Sequence, residues 1–255
     1  MADTAIDKNS PQWLPDSFTA TFYDHIDIWR VDLSNTKLDS YQAILSIDEK
    51  QRADKFIFDK DRGDYSRCRC SLRLILARCL SYPAAEIVFR YGEHGRPELQ
   101  VPAVEDFQFN LSHSGHMALI AVSRGRNVGV DLNYLGQKRQ WQPIAKRSFS
   151  PAEQVLLFRL PEVLRETMFC RIWSQKEAYS KALGDGFSYG FQNFTVAVDV
   201  NGTTGLLADT RQPQFVDDWT ILNIDAGEDW MAALAYNGRH SEVSIRQWEF
   251  DDSDV

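Results

Sequence analysis

No run of this 255-residue chain is long and apolar enough to span a bilayer. The opening stretch, "MADTAIDKNSPQWLPDSF", lacks the charged-then-apolar order of a secretory signal. Cysteine is scarce, and Cys68, Cys70, Cys79 and Cys170 include no C-x-x-C pair to suggest zinc. Three of them fall in one predicted helix, where they cannot staple distant segments, so they read as buried thiols of a reducing cytoplasm. Positive charge is in deficit: a formal net charge of −8 argues against nonspecific nucleic-acid or anionic-membrane binding. It leaves room for an anionic small ligand held by a local basic patch. Repeats and low-complexity segments are absent. What remains, 44% hydrophobic and 25% charged residues, is ordinary for a globular protein able to bury a full core.

Periodicity divides the chain into two halves of similar style. After a frayed lead-in over residues 1–20, "HIDIWRVDL" reads as a strand. "LSIDEKQRADKFIF" opens with a capping box, Ser46 with Glu49 three residues on, and "DRGDYSRCRCSLRLILARCL" is a second helix ended by Tyr82-Pro83. Two extended pieces flank the turn in "EIVFRYGEHGRPEL", and "FQFNLSHSGHMALIAVSRG" is a strand pair. Beyond Gly125, Ser150-Pro151 with Glu153 starts another capped helix, and "RETMFCRIWSQKEAYSKALGDG" a long one stopped by Gly184. "NFTVAVDV", turning at Asn201-Gly202, then "DWTILNID", "DWMAALAY" and "EVSIRQWEF" supply strands. This grouping predicts an α+β class with halves at residues 1–125 and 126–255.

Four stretches carry groups capable of chemistry. In "GVDLN", residues 129–133, strand alternation sends Val130 and Leu132 to one face and Asp131 with Asn133 to the other. A carboxylate in a strand is costly unless another segment completes it. In "WSQKEAYSK", Glu177 and Lys181 stand one helical turn apart: either a solvated ion pair, or a second carboxylate opposite Asp131 with a phosphate-binding cation beside it. Two hard oxygens with water and phosphate ligands suit Mg²⁺. In "FNLSHSG", Ser112, His113 and Ser114 are strand neighbours on alternate faces, which excludes a Ser–His dyad. His113 is either a backbone-bonded strand-end histidine or a phosphate contact. Arg62, Arg69 and Arg73 share one helical face, as a solvated surface or as bidentate anchors, and Arg96 is fixed between Gly95 and Pro97.

In this order the motifs resemble the Sfp-type 4′-phosphopantetheinyl transferases, from about Arg52 to Gly184. That family carries a G-x-D-x-E strand, here "GVDLN", and a W-x-x-K-E-x-x-x-K helix, here "WSQKEAYSK"; upstream, "GRP", "NLSHS" and "RCRCSLR" stand for its G-K-P turn, N-x-S-H-S strand and L-R helix. The resemblance implies two pseudo-symmetric α/β halves with the active site in the cleft between them. It implies transfer of the phosphopantetheine arm of coenzyme A to a serine of an apo acyl or peptidyl carrier protein, releasing adenosine 3′,5′-bisphosphate. By matched position, Asp131, Asn133 and Glu177 hold Mg²⁺, Glu177 also takes the serine proton, and Lys181 neutralises the pyrophosphate. Arg96, Pro97, Ser112 and His113 contact the nucleotide, and Arg52, Lys60 and Arg69 anchor phosphates.

Asn133 departs from the family's third acid: its carbonyl is able to ligate Mg²⁺ or hold a water, but adds no charge. An active transferase is therefore set against a catalytically impaired coenzyme A and carrier-binding module, and against an unrelated Mg²⁺-dependent phosphohydrolase. "GQKRQWQPIAKRSFS", with Lys138, Arg139, Trp141, Lys146, Arg147 and Phe149, reads as a docking surface for an acidic, partly apolar carrier helix or as an ordinary exposed loop. A cytoplasmic monomer without nucleic-acid or membrane partners is the expectation.

Overall fold

The computed structural model describes residues 25–93, 95–137, 139–184, 186–197, 203–239 and 241–249. The expected frayed lead-in and the Asn201-Gly202 turn lie outside these residues.

The first half contains strand β1 (His25–Asp32), a 3-10 segment (Thr36–Ile44), helices α1 (Ile47–Ala53) and α2 (Asp59–Leu80), and strands β2 (Val88–Tyr91), β3 (Pro97–Val101), β4 (Phe107–Ser114) and β5 (Met117–Arg124). The second contains β6 (Val128–Tyr134), helices α3 (Trp141–Ser148), α4 (Pro151–Arg159) and α5 (Glu162–Leu183), and strands β7 (Phe194–Val196), β8 (Leu206–Asp209), β9 (Trp219–Ile224) and β10 (Trp230–Asn237). A last strand, β11 (Glu242–Gln247), runs back beside β1 and parallel to it. It thereby leaves the second half, in which the sequence reading had placed it. One sheet has the order β11-β1-β5-β4, another β6-β10-β9, and β2-β3 and β7-β8 form two-stranded ribbons.

Alternation along the strands produces the layers. On β5, Ala118, Ile120 and Val122 pack under α2 with Leu72, Ile75 and Leu76, while Met117, Leu119 and Ala121 face Val128, Val130 and Leu132 of β6. On β10, Ala232, Leu234 and Tyr236 join that inter-sheet core, while Ala233 and Ala235 face α5. The order is helix, sheet, sheet, helix.

Both capping boxes form: Ser46 N donates to Glu49 Oε2 at 3.0 Å and Ser150 N to Glu153 Oε2 at 2.8 Å. Gly184 ends α5 with φ 89°, where a side chain is disfavoured. The glycine opening "GVDLN" answers to packing: a Cβ on Gly129 would lie 2.1 Å from the Ala178 carbonyl oxygen and 2.4 Å from the Ala182 nitrogen. Only glycine lets α5 rest on the β6 backbone, and that contact brings Glu177 and Lys181 against the strand of Asp131.

The two sheets are also stitched at their edges. Asn110 Oδ1, Ser112 Oγ and Ser114 Oγ, alternate residues of β4, accept from the backbone nitrogens of Val130, Leu132 and Tyr134 at 3.0, 3.2 and 2.9 Å. Side chains replace the carbonyls of a missing partner strand, and satisfy the free edge of β6.

Candidate active site

Asp131 lies at the junction of α5, β4 and β6 and is 5% exposed. Its Oδ1 accepts from Lys181 Nζ at 2.7 Å and Ser112 Oγ at 3.0 Å, and its Oδ2 from Asn133 Nδ2 at 2.7 Å. Lys181 also donates to Ser112 Oγ and to the Val130 carbonyl, both at 3.1 Å. Lys181 thus reaches across to Asp131 instead of pairing along its helix with Glu177, which removes the solvated i,i+4 reading.

Glu177 is 8% exposed. Burial, and then the charge of Asp131, push its carboxyl up to about 7 against the opposing pull of Lys181. Two carboxylates that repel each other in a desolvated cleft have the donor chemistry a divalent cation relieves, and Asp131 retains lone pairs beyond its three hydrogen bonds. Asp131 and Glu177 therefore fit Mg²⁺. Asn133 is differently occupied: its Nδ2 also donates to Ser174 Oγ at 2.9 Å, and its Oδ1 accepts from an Arg139 guanidinium nitrogen at 2.5 Å.

A cavity of about 230 Å³ opens beside these groups, lined by Arg96, Pro97, Asn110, Glu177, Lys181 and Gly184 among others. Arg96 is thus delivered to the cleft by the turn before β3. It donates to the Lys181 carbonyl at 2.8 Å, capping the end of α5, while its buried Nε has no partner. A second, larger cavity of about 600 Å³ takes Lys60, Asp61, Asp64, His113 and Tyr134. His113 thus points away from Ser112, as alternation requires, and desolvation by the surrounding walls lowers its pKa despite opposing charge from Asp64.

The proposed phosphate anchors separate. Arg52 is exposed on α1, and Lys60 is tied to Asp64 at 2.6 Å. Arg69 is not at the surface: it is 4% exposed, its Nε bonds Glu49 Oε1 at 2.7 Å, and its guanidinium lies 4.7 Å from the centre of the Phe89 ring. Arg73 takes the other Glu49 oxygen at 2.7 Å and the carbonyls of Ala84 and Ile87. Buried ion pairing explains the departure from a solvated arginine face: Glu49 turns inward from its cap, and the arginines must follow it. Arg69 is therefore committed to the scaffold.

The expected docking stretch is exposed only in part. It forms α3, with Trp141 and Phe149 buried against Phe169, and Lys146 and Arg147 exposed. Lys138 lies outside the described residues. The exposed apolar groups nearby are Val155, Leu156, Val163 and Leu164 on α4 and α5. Sequence reasoning missed Asn110, Ser174 and the role of Arg139. The alternation of Asn110, Ser112 and Ser114 was the signal available for the first.

Residues 127–235 match the model of the 4′-phosphopantetheinyl transferase superfamily, and residues 29–125 that of the 4′-phosphopantetheinyl transferase N-terminal region. A 4′-phosphopantetheinyl transferase of Nostoc sp. is 34% identical over 230 residues, covering 89% of this chain and 94% of that protein. One from Bacillus subtilis strain 168 is 23% identical over 218 residues, covering 85% and 94%. A holo-[acyl-carrier-protein] synthase structure from Neisseria meningitidis superimposes with a TM-score of 0.37 at 19% identity, covering 44% of this chain and 98% of that one. The chain belongs to the 4′-phosphopantetheinyl transferase family.

Proposed function

We propose that this chain transfers the 4′-phosphopantetheine arm of coenzyme A to a serine hydroxyl of an apo carrier protein, with Mg²⁺ as its resident ion. The observation that carries the reading is the convergence of Asp131, Glu177 and Lys181 on one cleft that also receives Arg96. The serine oxygen attacks the phosphorus bearing the pantetheine arm, the pyrophosphate bond breaks, and adenosine 3′,5′-bisphosphate leaves with the bonding electrons. When bound by Asp131 and Glu177, Mg²⁺ neutralises charge across the pyrophosphate.

The chain's own groups do the rest. Lys181, held by Asp131, Ser112 and the Val130 carbonyl, presents a fixed cation to the leaving phosphate. Arg96 and Pro97 border the nucleotide, and the unpartnered Arg96 Nε is a donor available to phosphate. Glu177, at the edge of the cavity, takes the serine proton directly or through water. Ser112 acts by holding Asp131 and Lys181, while Lys60 and His113, which line the larger cavity, meet the outer phosphate. Exposed Lys146 and Arg147 with Val155 and Leu156 suit an acidic, partly apolar carrier helix.

The same reading makes the chain a cytoplasmic monomer. Both walls of the cleft come from one polypeptide, its described cysteines are free thiols, and no described helix is long and apolar enough to cross a membrane.

Intact-mass measurement of apo carrier domains with coenzyme A and Mg²⁺ tests the reaction. A phosphopantetheine mass gain that disappears with chelator supports it. Coenzyme A binding with no gain on any carrier would favour the binding module, and coenzyme A cleavage without a carrier would favour a phosphohydrolase.

A further inference from the structure

We infer that Arg139 is a positioning residue of the cation site: it withholds the Asn133 carbonyl oxygen from the ion, leaving two carboxylates as the protein ligands. This rests on the reading of the cleft given above.

The orientation of the Asn133 amide is settled by its neighbours. On one side lie Asp131 Oδ2 at 2.7 Å and Ser174 Oγ at 2.9 Å. Ser174 gives its own proton to the Met231 carbonyl at 3.1 Å, so its oxygen accepts from Asn133. On the other side lies the Arg139 guanidinium, which has only donors. Flipping the amide would set its oxygen against a carboxylate and its NH₂ against an arginine. Both Asn133 protons are therefore committed, and its oxygen faces the guanidinium.

An ion on that same oxygen would stand about 4 Å from the guanidinium, because Mg²⁺ binds oxygen at roughly 2.1 Å. The two cations repel there, and the neutral amide, unlike the Asp131 carboxylate beside Lys181, carries no charge to offset the repulsion. The amide meanwhile holds Asp131 in orientation through Nδ2. Arg139 further bonds Gln137 Oε1 at 3.2 Å and stands two residues before α3. It thereby ties the start of α3, on which Lys146 and Arg147 are exposed, to the carboxylate row.

The test is Mn²⁺ binding to the full chain, without coenzyme A, followed by calorimetry and by the electron paramagnetic resonance signal of free Mn²⁺. Arg139 is only half-buried, so Arg139→Ala is expected to fold, which circular dichroism checks. Arg139→Ala should tighten Mn²⁺ binding about tenfold, or about 1.4 kcal/mol. Adding Asn133→Ala should erase most of that gain, because the released oxygen is gone. Asn133→Ala alone should change affinity less than threefold. Unchanged or weaker binding in Arg139→Ala overturns the inference, as does a loss above tenfold in Asn133→Ala with Arg139 present. Glu177→Gln separates the two levels: binding that depends on Glu177 but ignores Arg139 overturns the inference alone. No Glu177-dependent binding at all overturns the cation site and the inference with it.

Discussion

The two halves build one device twice. In each, a short helix begins with a capping box whose glutamate turns inward and meets a cation on a long helix. Glu49 of α1 holds Arg69 and Arg73 of α2; Glu153 of α4 holds Lys176 of α5 at 2.8 Å, and Lys176 also donates to the carbonyls of Phe191 and Phe194. The residue after Arg73 is Leu74, 2% exposed in the apolar core, whereas the residue after Lys176 is Glu177 at the cleft. The buried pair locks each long helix to its short neighbour, and in the second half the next position borders the cleft. Along α5 the buried scaffold pair and the cleft-facing carboxylate are thus one residue apart.

Glu177→Gln breaks that separation with the largest effect. Transfer should fall about 10²–10⁴-fold with the fold retained, read by the mass gain of an apo carrier. The same variant has a signature without substrate. The Glu177 carboxyl sits at about 7 in the ion-free protein against an ordinary 4.5, so the folded chain holds the extra proton between those values. Stability in chelator should therefore decline as pH rises from 4.5 to 7, and Glu177→Gln should flatten that slope in thermal melts. A slope that Glu177→Gln leaves unchanged over this window would show that burial and Asp131 do not raise this carboxyl.

Next come the buried pairs, where the halves should differ. Glu49→Gln strands two arginines, which cannot shed their charge, and should cost roughly 3–5 kcal/mol in denaturant unfolding. Glu153→Gln strands a lysine, which can. Burial already brings Lys176 down to about 8 from an ordinary 10.5, in spite of Glu153. The folded state therefore binds fewer protons than the unfolded one between these values, and stability contributed at this site rises with pH there. Glu153→Gln should accordingly cost less than Glu49→Gln, about 1–3 kcal/mol, with a deficit that shrinks in alkaline buffer. Equal, pH-independent losses would show that the lysine stays charged.

Much of the scaffold was legible in the sequence because it is local. Both capping boxes, the Gly184 stop and the sharing of one strand face by Asp131 and Asn133 depend on neighbours within a turn or a strand. Spacing also showed that Arg69 and Arg73 share a face, but not that the face is internal, since that depends on Glu49 from another helix. Helix α3 was missed because Pro143 argues against a helix, yet it falls in the first turn, where no intrahelical donor is needed. The crossing of β11 to β1 and the bond of Lys181 to Asp131 join residues far apart in the chain, which no periodicity reports.

The smallest effect concerns the stitch between the sheets. Asn110→Ala removes the acceptor for Val130 N, and Ser112→Ala the acceptor for Leu132 N, both in buried surroundings. Each should cost about 1–3 kcal/mol, the penalty of an unsatisfied backbone donor. The two should differ in function, however. Asn110 borders the cavity without touching Asp131, whereas Ser112 also bonds Asp131 and Lys181. Ser112→Ala should therefore slow transfer beyond its stability loss, by about tenfold, if one hydrogen bond orienting Lys181 contributes about 1.4 kcal/mol to the barrier. Asn110→Ala should match it in denaturant unfolding and lie much nearer wild type in turnover at saturating coenzyme A. Equal turnover in the two variants would mean that the stitch serves only to join the halves, and that Lys181 is held well enough by Asp131 and the Val130 carbonyl.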